Sequence, residues 1–160
     1  MSNTTAARSA LFDALRQATG LFPVELDAQG ACSLAFDQLA VHLQHDAAAH
    51  VLTCFAVLGS VPAARREEVM AAMLRANRFW RGTGSATLSL DENEPPSVLL
   101  AQRFDERVPG AAADFVQAIE RFVNHAHDWS AFLGAQPSEA SPAPLPAEPQ
   151  GGMAFFSQRA

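Results

Sequence analysis

The chain opens with a stretch, Thr4 to Ala18, in which Leu11, Leu15 and Ala18 recur at i, i+4 and i+7, with Phe12 beside them. Ser2 to Thr5 supply capping side chains and Gly20 supplies a stop, so the spacing predicts a helix. Few large apolar residues project from it, so it must dock on something to be stable. The period then changes to two. Cys32, Leu34 and Phe36 alternate with Ser33, Ala35 and Asp37, and Leu39, Val41 and Leu43 alternate with Ala40, His42 and Gln44. Each run predicts a strand with one buried face, and Asp37-Gln38 is short enough for a hairpin link. His50 to Leu58 is apolar on both parities, which predicts a central strand covered on both faces.

Pro62, followed by Glu67 and Glu68, marks the start of a second helix that runs to about Trp80, where Gly82 and Gly84 interrupt it. Its apolar residues spread over more than the one stripe that a surface helix needs, so it is expected to touch two things. Ser85 to Leu90 and Ser97 to Phe104 alternate again, joined by the polar, proline-containing turn Asp91 to Pro96. After Pro109-Gly110 the longest seam begins: Phe115, Ile119, Phe122, Ala126, Trp129 and Leu133 step by four and three. Gly134 stands where a left-handed cap is wanted. The order helix, three strands, helix, two strands, helix predicts an α+β fold, an antiparallel sheet with helices packed on it (α-β-β-β-α-β-β-α). Residues 1–134 form this domain.

The remaining segment, residues 135–160, has a different composition. Five of the chain's ten prolines lie between Pro137 and Pro149. Such a segment reads as a Pro-rich tail without a core of its own. Its end, Gly151-Gly152-Met153-Ala154-Phe155-Phe156, is either idle or a docking peptide.

Composition narrows the function. The 160 residues carry a net charge of −6, with 17 acidic and 11 basic side chains, so a phosphate backbone is an unfavoured partner. Every basic residue is Arg, and Tyr is missing too, which removes Schiff-base lysine, P-loop lysine and tyrosine acid/base chemistry. Met1 to Ala10 lacks the charge and apolar pattern of a secretory signal, and the longest apolar run, Val51 to Leu58, is far short of the ~20 residues of a membrane span. A cytoplasmic location is expected, with Cys32 and Cys54 reduced and buried.

The five histidines offer no chelate. His42 and His45 fall on opposite faces of a strand, and His125 and His127 are about 200° apart on a helix; solvated or interfacial roles are expected for them. His50 and Cys54 share a strand face but lie ~13 Å apart. The carboxylates cluster at helix starts and turns, as Glu67-Glu68, Asp91-Glu92 and Asp105-Glu106, where solvated charge is ordinary. Gly82-Thr83-Gly84 precedes a strand and not the helix that a phosphate cradle needs. No cofactor and no catalytic residue are expected, and a small enzyme is the weakest reading.

The run MLRANRFWRGTGSATLSLDENEPPSVLLAQRF resembles the middle of the type III secretion chaperones of the Tir-chaperone (CesT) family, class I. The matching features are Leu74, Ala76-Asn77, Gly82 and Gly84, Ala86 to Asp91, and Val98 to Leu100. Gly20-Leu21, Asp27, Gly30 to Leu34 and Phe36 match the family's earlier part, and the seam from Phe115 to Trp129 its closing helix. The likeness covers about residues 8–134 and implies a homodimer that binds the N-terminal region of secreted effectors in extended form and hands them to the secretion ATPase. It places a dimer seam on the second helix and the strand after it, here Met70, Met73, Leu74, Asn77, Phe79, Trp80 and Leu88; the alternative is that these pack within one subunit. Effector would lie on the first helix and first strands, at Leu11, Phe12, Leu15, Leu34, Phe36, Val41 and Leu43, unless these are plain core. The tail exceeds what the fold needs and is compatible with a multi-effector subtype. The rival reading is a related-fold, YbjN-like cytosolic protein without a secretion role.

Overall fold

The computed structural model describes residues 2–108 and 111–135. Helix α1 (Ser2–Thr19) leads into strands β1 (Ala31–Phe36), β2 (Leu39–Asp46) and β3 (Val51–Ser60). Helix α2 (Arg66–Asn77), entered through a short 3-10 turn, precedes β4 (Thr87–Leu90) and β5 (Ser97–Asp105), and helix α3 (Ala111–Gly134) closes the domain. The five strands form one antiparallel sheet in the order β1-β2-β3-β5-β4. This is the α+β order that the alternation implies. The call on residues 136–160 lies outside the described residues.

The period-two pattern decides which sheet face is dry. Cys32, Leu34, Val41, Leu43, Leu52, Cys54, Ala56, Leu88, Val98 and Leu100 all point inward. Against them lie Phe115, Ile119, Phe122 and Ala126 of α3, and Leu11, Phe12 and Leu15 of α1, in one continuous core. Helix α2 docks beside β4 and sends only Val69 and Met73 into this core. Cys32 and Cys54 are free and buried. Leu43 of β2 stands between them in register, so they are two strand spacings (~9.6 Å) apart, beyond disulfide reach.

Arg65 ties the helices together. Its Nη1 donates to the carbonyls of Phe132 and Ala135, both at 2.9 Å, while its Nε and Nη2 donate to Glu68. The guanidinium therefore caps the negative end of α3 and sits over the Phe132 ring. That cap replaces the one expected at Gly134, which is still helical: Ala135 N–H bonds to Ala131 at 3.0 Å. The left-handed cap occurs instead at Gly20, with φ of 68°.

Three further expectations are corrected. Helix α2 ends at Asn77, not Trp80, because Phe79 and Trp80 both take positive φ, 57° and 54°. His45, expected to be solvated or at an interface, is buried with its Nε2 at 3.0 Å from the carboxylate of Glu106. Glu106 itself, expected in solvent, is 2% exposed. Arg8 of α1 reaches the same histidine ring at 3.3 Å, so α1, β2 and the turn after β5 meet at one polar cluster. Its neighbour Asp105 behaves as expected, held well below the usual carboxylate range by the Arg107 guanidinium.

Candidate binding surfaces

Strand β3 is central, yet only one of its apolar faces is covered. Leu52, Cys54, Ala56 and Leu58 are buried, whereas Val51 and Phe55 are half-buried and Val57 is 50% exposed. Among the described residues nothing supplies the second cover that its two-sided pattern calls for. Register places Ser33, His42, Phe55, Ala101 and Thr87 in one row across all five strands of this outer face. The row is internally bonded. Ser33 Oγ and His42 Nδ1 are 2.8 Å apart, His42 stacks on Phe55 at 5.1 Å, and Trp80 Nε1 donates to Thr87 Oγ1 at 3.3 Å. A second row, Val57, Leu99 and Ser89, lies beside it.

Trp80 thus extends the outer face past its last strand. Beside it in sequence, Phe79 is 70% exposed and, one turn earlier, Leu74 is 73% exposed. Holding two bulky residues in the left-handed region costs ~1–3 kcal/mol each. Here that conformation turns both rings outward from the end of α2. Two glycines hold the loop behind them: a Cβ on Gly82 would sit 2.7 Å from Ala76 Cβ, and one on Gly84 2.6 Å from the His125 ring. Trp129 Nε1 donates to the Gly82 carbonyl and fastens the loop to α3.

Of the seven residues expected at a dimer seam, Leu74, Phe79 and Trp80 are on the surface and Met70 is half-buried. Met73 and Leu88 are core residues, and Asn77 is occupied inside the subunit, its side chain bonded to both main-chain groups of Leu88. Of the seven expected to meet effector, Leu11, Phe12, Leu15, Leu34, Val41 and Leu43 are interior, each 6% exposed or less. Only Phe36, at the end of β1, is half-buried. The six form the floor beneath β1 and β2, and a partner at that edge meets main chain first. The outer-face residues His42, Phe55, Val57, Leu99 and Ala101 were not singled out as a site. The signal for them is the double-sided apolar pattern of β3, which predicts cover on both faces.

Among the described residues no group of three or more His, Cys, Asp or Glu is placed to hold a metal ion. Burial alone pushes the Cys54 thiol up, away from the reactive thiolate. Among the described residues no helix is long and apolar enough to cross a membrane.

The model of the Tir chaperone protein (CesT) family matches residues 11–130, about three quarters of the chain. The chain belongs to the CesT family. Solved structures of the same fold include the ExsC–ExsE complex, matched with TM-score 0.64 and 22% identity over 83% of this chain and 97% of that one. The HopA1–SchA chaperone–effector complex matches with TM-score 0.60 and 18% identity, over 83% and 97%. YbjN from E. coli matches with TM-score 0.56 and 16% identity, over 80% and 91%. No curated protein sequence matches the chain significantly. Membership supports the broad class, a chaperone of type III secretion, and the outer apolar face of the sheet is uncovered among the described residues.

Proposed function

We propose that the protein is a cytoplasmic type III secretion chaperone that binds the N-terminal region of effector proteins in extended form and keeps them competent for export. The observation that carries this reading is the uncovered apolar surface of a CesT-family subunit: the outer rows of the sheet, with Leu74, Phe79 and Trp80 turned outward beside them. A second copy covers part of it, with Leu74, Phe79, Trp80 and the rim of Met70 at the seam. Effector adds as an extended strand along the outer edge of β1, near Phe36, where main-chain bonds supply affinity and alternate side chains supply selection. Interior Leu11, Phe12, Leu15, Leu34, Val41 and Leu43 keep that edge rigid. Binding of this kind needs no cofactor and no catalytic residue, and delivery to the secretion ATPase follows from it. The number of effectors served is set by how much the edge and outer face discriminate between side chains.

YbjN shares the fold, so the fold alone leaves a second reading, a binding protein with no part in secretion. Deletion of the gene in its host separates the two. The chaperone reading expects at least one exported protein to vanish from the culture medium and to return on complementation. An unchanged secreted set overturns it.

A further inference from the structure

The two edges of the sheet are finished differently. At β4 the chain takes up its own outward main-chain groups. The Ala86 N–H donates to the Thr83 carbonyl at 3.1 Å, the Ala86 carbonyl accepts the Thr83 hydroxyl at 2.6 Å, and Leu88 is bonded twice by Asn77. At β1 the parity is set by Gly30, which faces β2: its carbonyl accepts the His45 N–H at 2.8 Å. Cys32, Leu34 and Phe36 share that parity. Ala31, Ser33 and Ala35 therefore point their N–H and C=O groups away from the sheet.

Asp27 closes the first of these rungs. Its main-chain N–H donates to the Ala31 carbonyl at 2.8 Å, and its carboxylate accepts the Ala31 N–H at 2.8 Å and the Gln29 N–H at 2.9 Å. Ser33 and Ala35 have no main-chain partner among the described residues. They leave two donors and two acceptors open, one rung after the other.

Unpaired edges recruit other chains, and proteins ordinarily blunt them with charge or proline. Strand β1 carries neither: Ala31 to Phe36 hold no charged residue and no proline, and Ser33 and Ala35 are small and exposed. A strand laid beside them meets little side-chain bulk. On the inner face Cys32 and Leu34 are buried, and on the outer face Ser33 is held by His42. The partner that fits is an extended, proline-free peptide segment, apolar at the position beside Leu34 and tolerant at those beside Ser33 and Ala35.

We propose that Ser33 and Ala35 form a two-rung acceptor for such a peptide, and that Asp27 is the positioning residue that fixes its register by stopping the added strand short of Ala31. That the peptide is an effector segment rests on the reading above; the acceptor itself does not. Thr83 and Asn77 deny the same peptide the opposite edge of the sheet.

Amide hydrogen exchange on the full chain tests this, with a short synthetic peptide alternating valine and threonine at millimolar concentration, and with the same peptide N-methylated at every amide. The Ser33 and Ala35 amides are expected to exchange about three-fold slower with the first peptide, the factor for a site two-thirds filled, and at the same rate with the second. Ala31 and Leu88 are expected to respond to neither. Ala35→Pro removes a donor that faces away from β2, where an edge strand tolerates proline, and is expected to abolish the slowing at Ser33. In Asp27→Ala the Ala31 amide is expected to join the responding set. No slowing at Ser33 and Ala35 in the unaltered protein overturns the acceptor, as does equal slowing with the N-methylated peptide or in Ala35→Pro. An Ala31 amide that ignores the peptide in Asp27→Ala overturns the role of Asp27. Slowing at Ser33 and Ala35 together with an unchanged secreted set upholds the acceptor and overturns only the chaperone reading.

Discussion

Asn77 binds Leu88 twice: its Nδ2 donates to the Leu88 carbonyl at 3.0 Å and its Oδ1 accepts the Leu88 N–H at 2.9 Å. One side chain at the end of α2 therefore does for β4 what a sixth strand would do. It closes the sheet edge at that point and fixes where α2 stops, immediately before Phe79 and Trp80 turn outward. Replacing Asn77 by Ala leaves both main-chain groups unpaired and is expected to cost ~1–3 kcal/mol. In a domain of this size that lowers Tm by ~4–10 °C. Asn77→Asp keeps the acceptor and is expected to lose about half as much. Thermal unfolding followed by circular dichroism checks both.

The exposed trio makes a cleaner test of assembly. Leu74, Phe79 and Trp80 are on the subunit surface, so charge there need not disturb the core. The intact protein is expected to scatter light as a species of about twice 17.1 kDa. Phe79→Asp with Trp80→Arg is expected to halve the mass while leaving the far-ultraviolet spectrum intact, because an unpaired charge in a seam is costly. A double variant that stays dimeric places the seam elsewhere.

The buried pair of His45 and Glu106 predicts an unusual mutational sign. Both Glu106 oxygens are buried without a hydrogen bond, and His45 Nε2 lies 3.0 Å from one of them. Removing the histidine alone leaves the buried Glu106 side chain without this polar neighbour, so His45→Leu is expected to destabilise by ~1–3 kcal/mol. The double change His45→Leu with Glu106→Leu is expected to recover most of that loss. Urea unfolding of the three proteins measures the coupling.

Acid is expected to weaken the β4–β5 hairpin. The Asp91 carboxylate accepts the Ser97 N–H at 2.7 Å, which with help from Asn93 lowers its pKa. A group depressed in the folded state adds stability above the unfolded carboxylate value, ~4. That stability is lost as pH falls through the folded value. Asp105 and Glu68, lowered by Arg107 and Arg65, act with the same sign. Melting temperature measured from pH 7 down to pH 3 is expected to fall more gently in Asp91→Asn than in the unaltered protein.

Alternation was legible because each strand buries one parity. Cys32-Leu34 and Val41-Leu43 could sit in only one way, and the seam from Phe115 to Leu133 has a single face. The end of α2 was not legible, since nothing local announces that two aromatic residues will accept positive φ. His45 and Glu106 lie sixty-one positions apart in the chain and meet only through the sheet. The most instructive case is β3. Its two apolar parities predict cover on both faces, and among the described residues only one face is covered, because period two shows that a side chain is apolar and not what lies against it.

The most direct measurement is recovery of the protein from its own host under native conditions, followed by limited proteolysis and mass spectrometry of what remains bound. The expected result is an exported protein whose protected segment lies in its N-terminal region and is cleaved at once when released, with Phe79→Asp/Trp80→Arg altering the stoichiometry of the complex. Recovery with no exported protein, or with one whose bound part is an independently folded domain, contradicts the account.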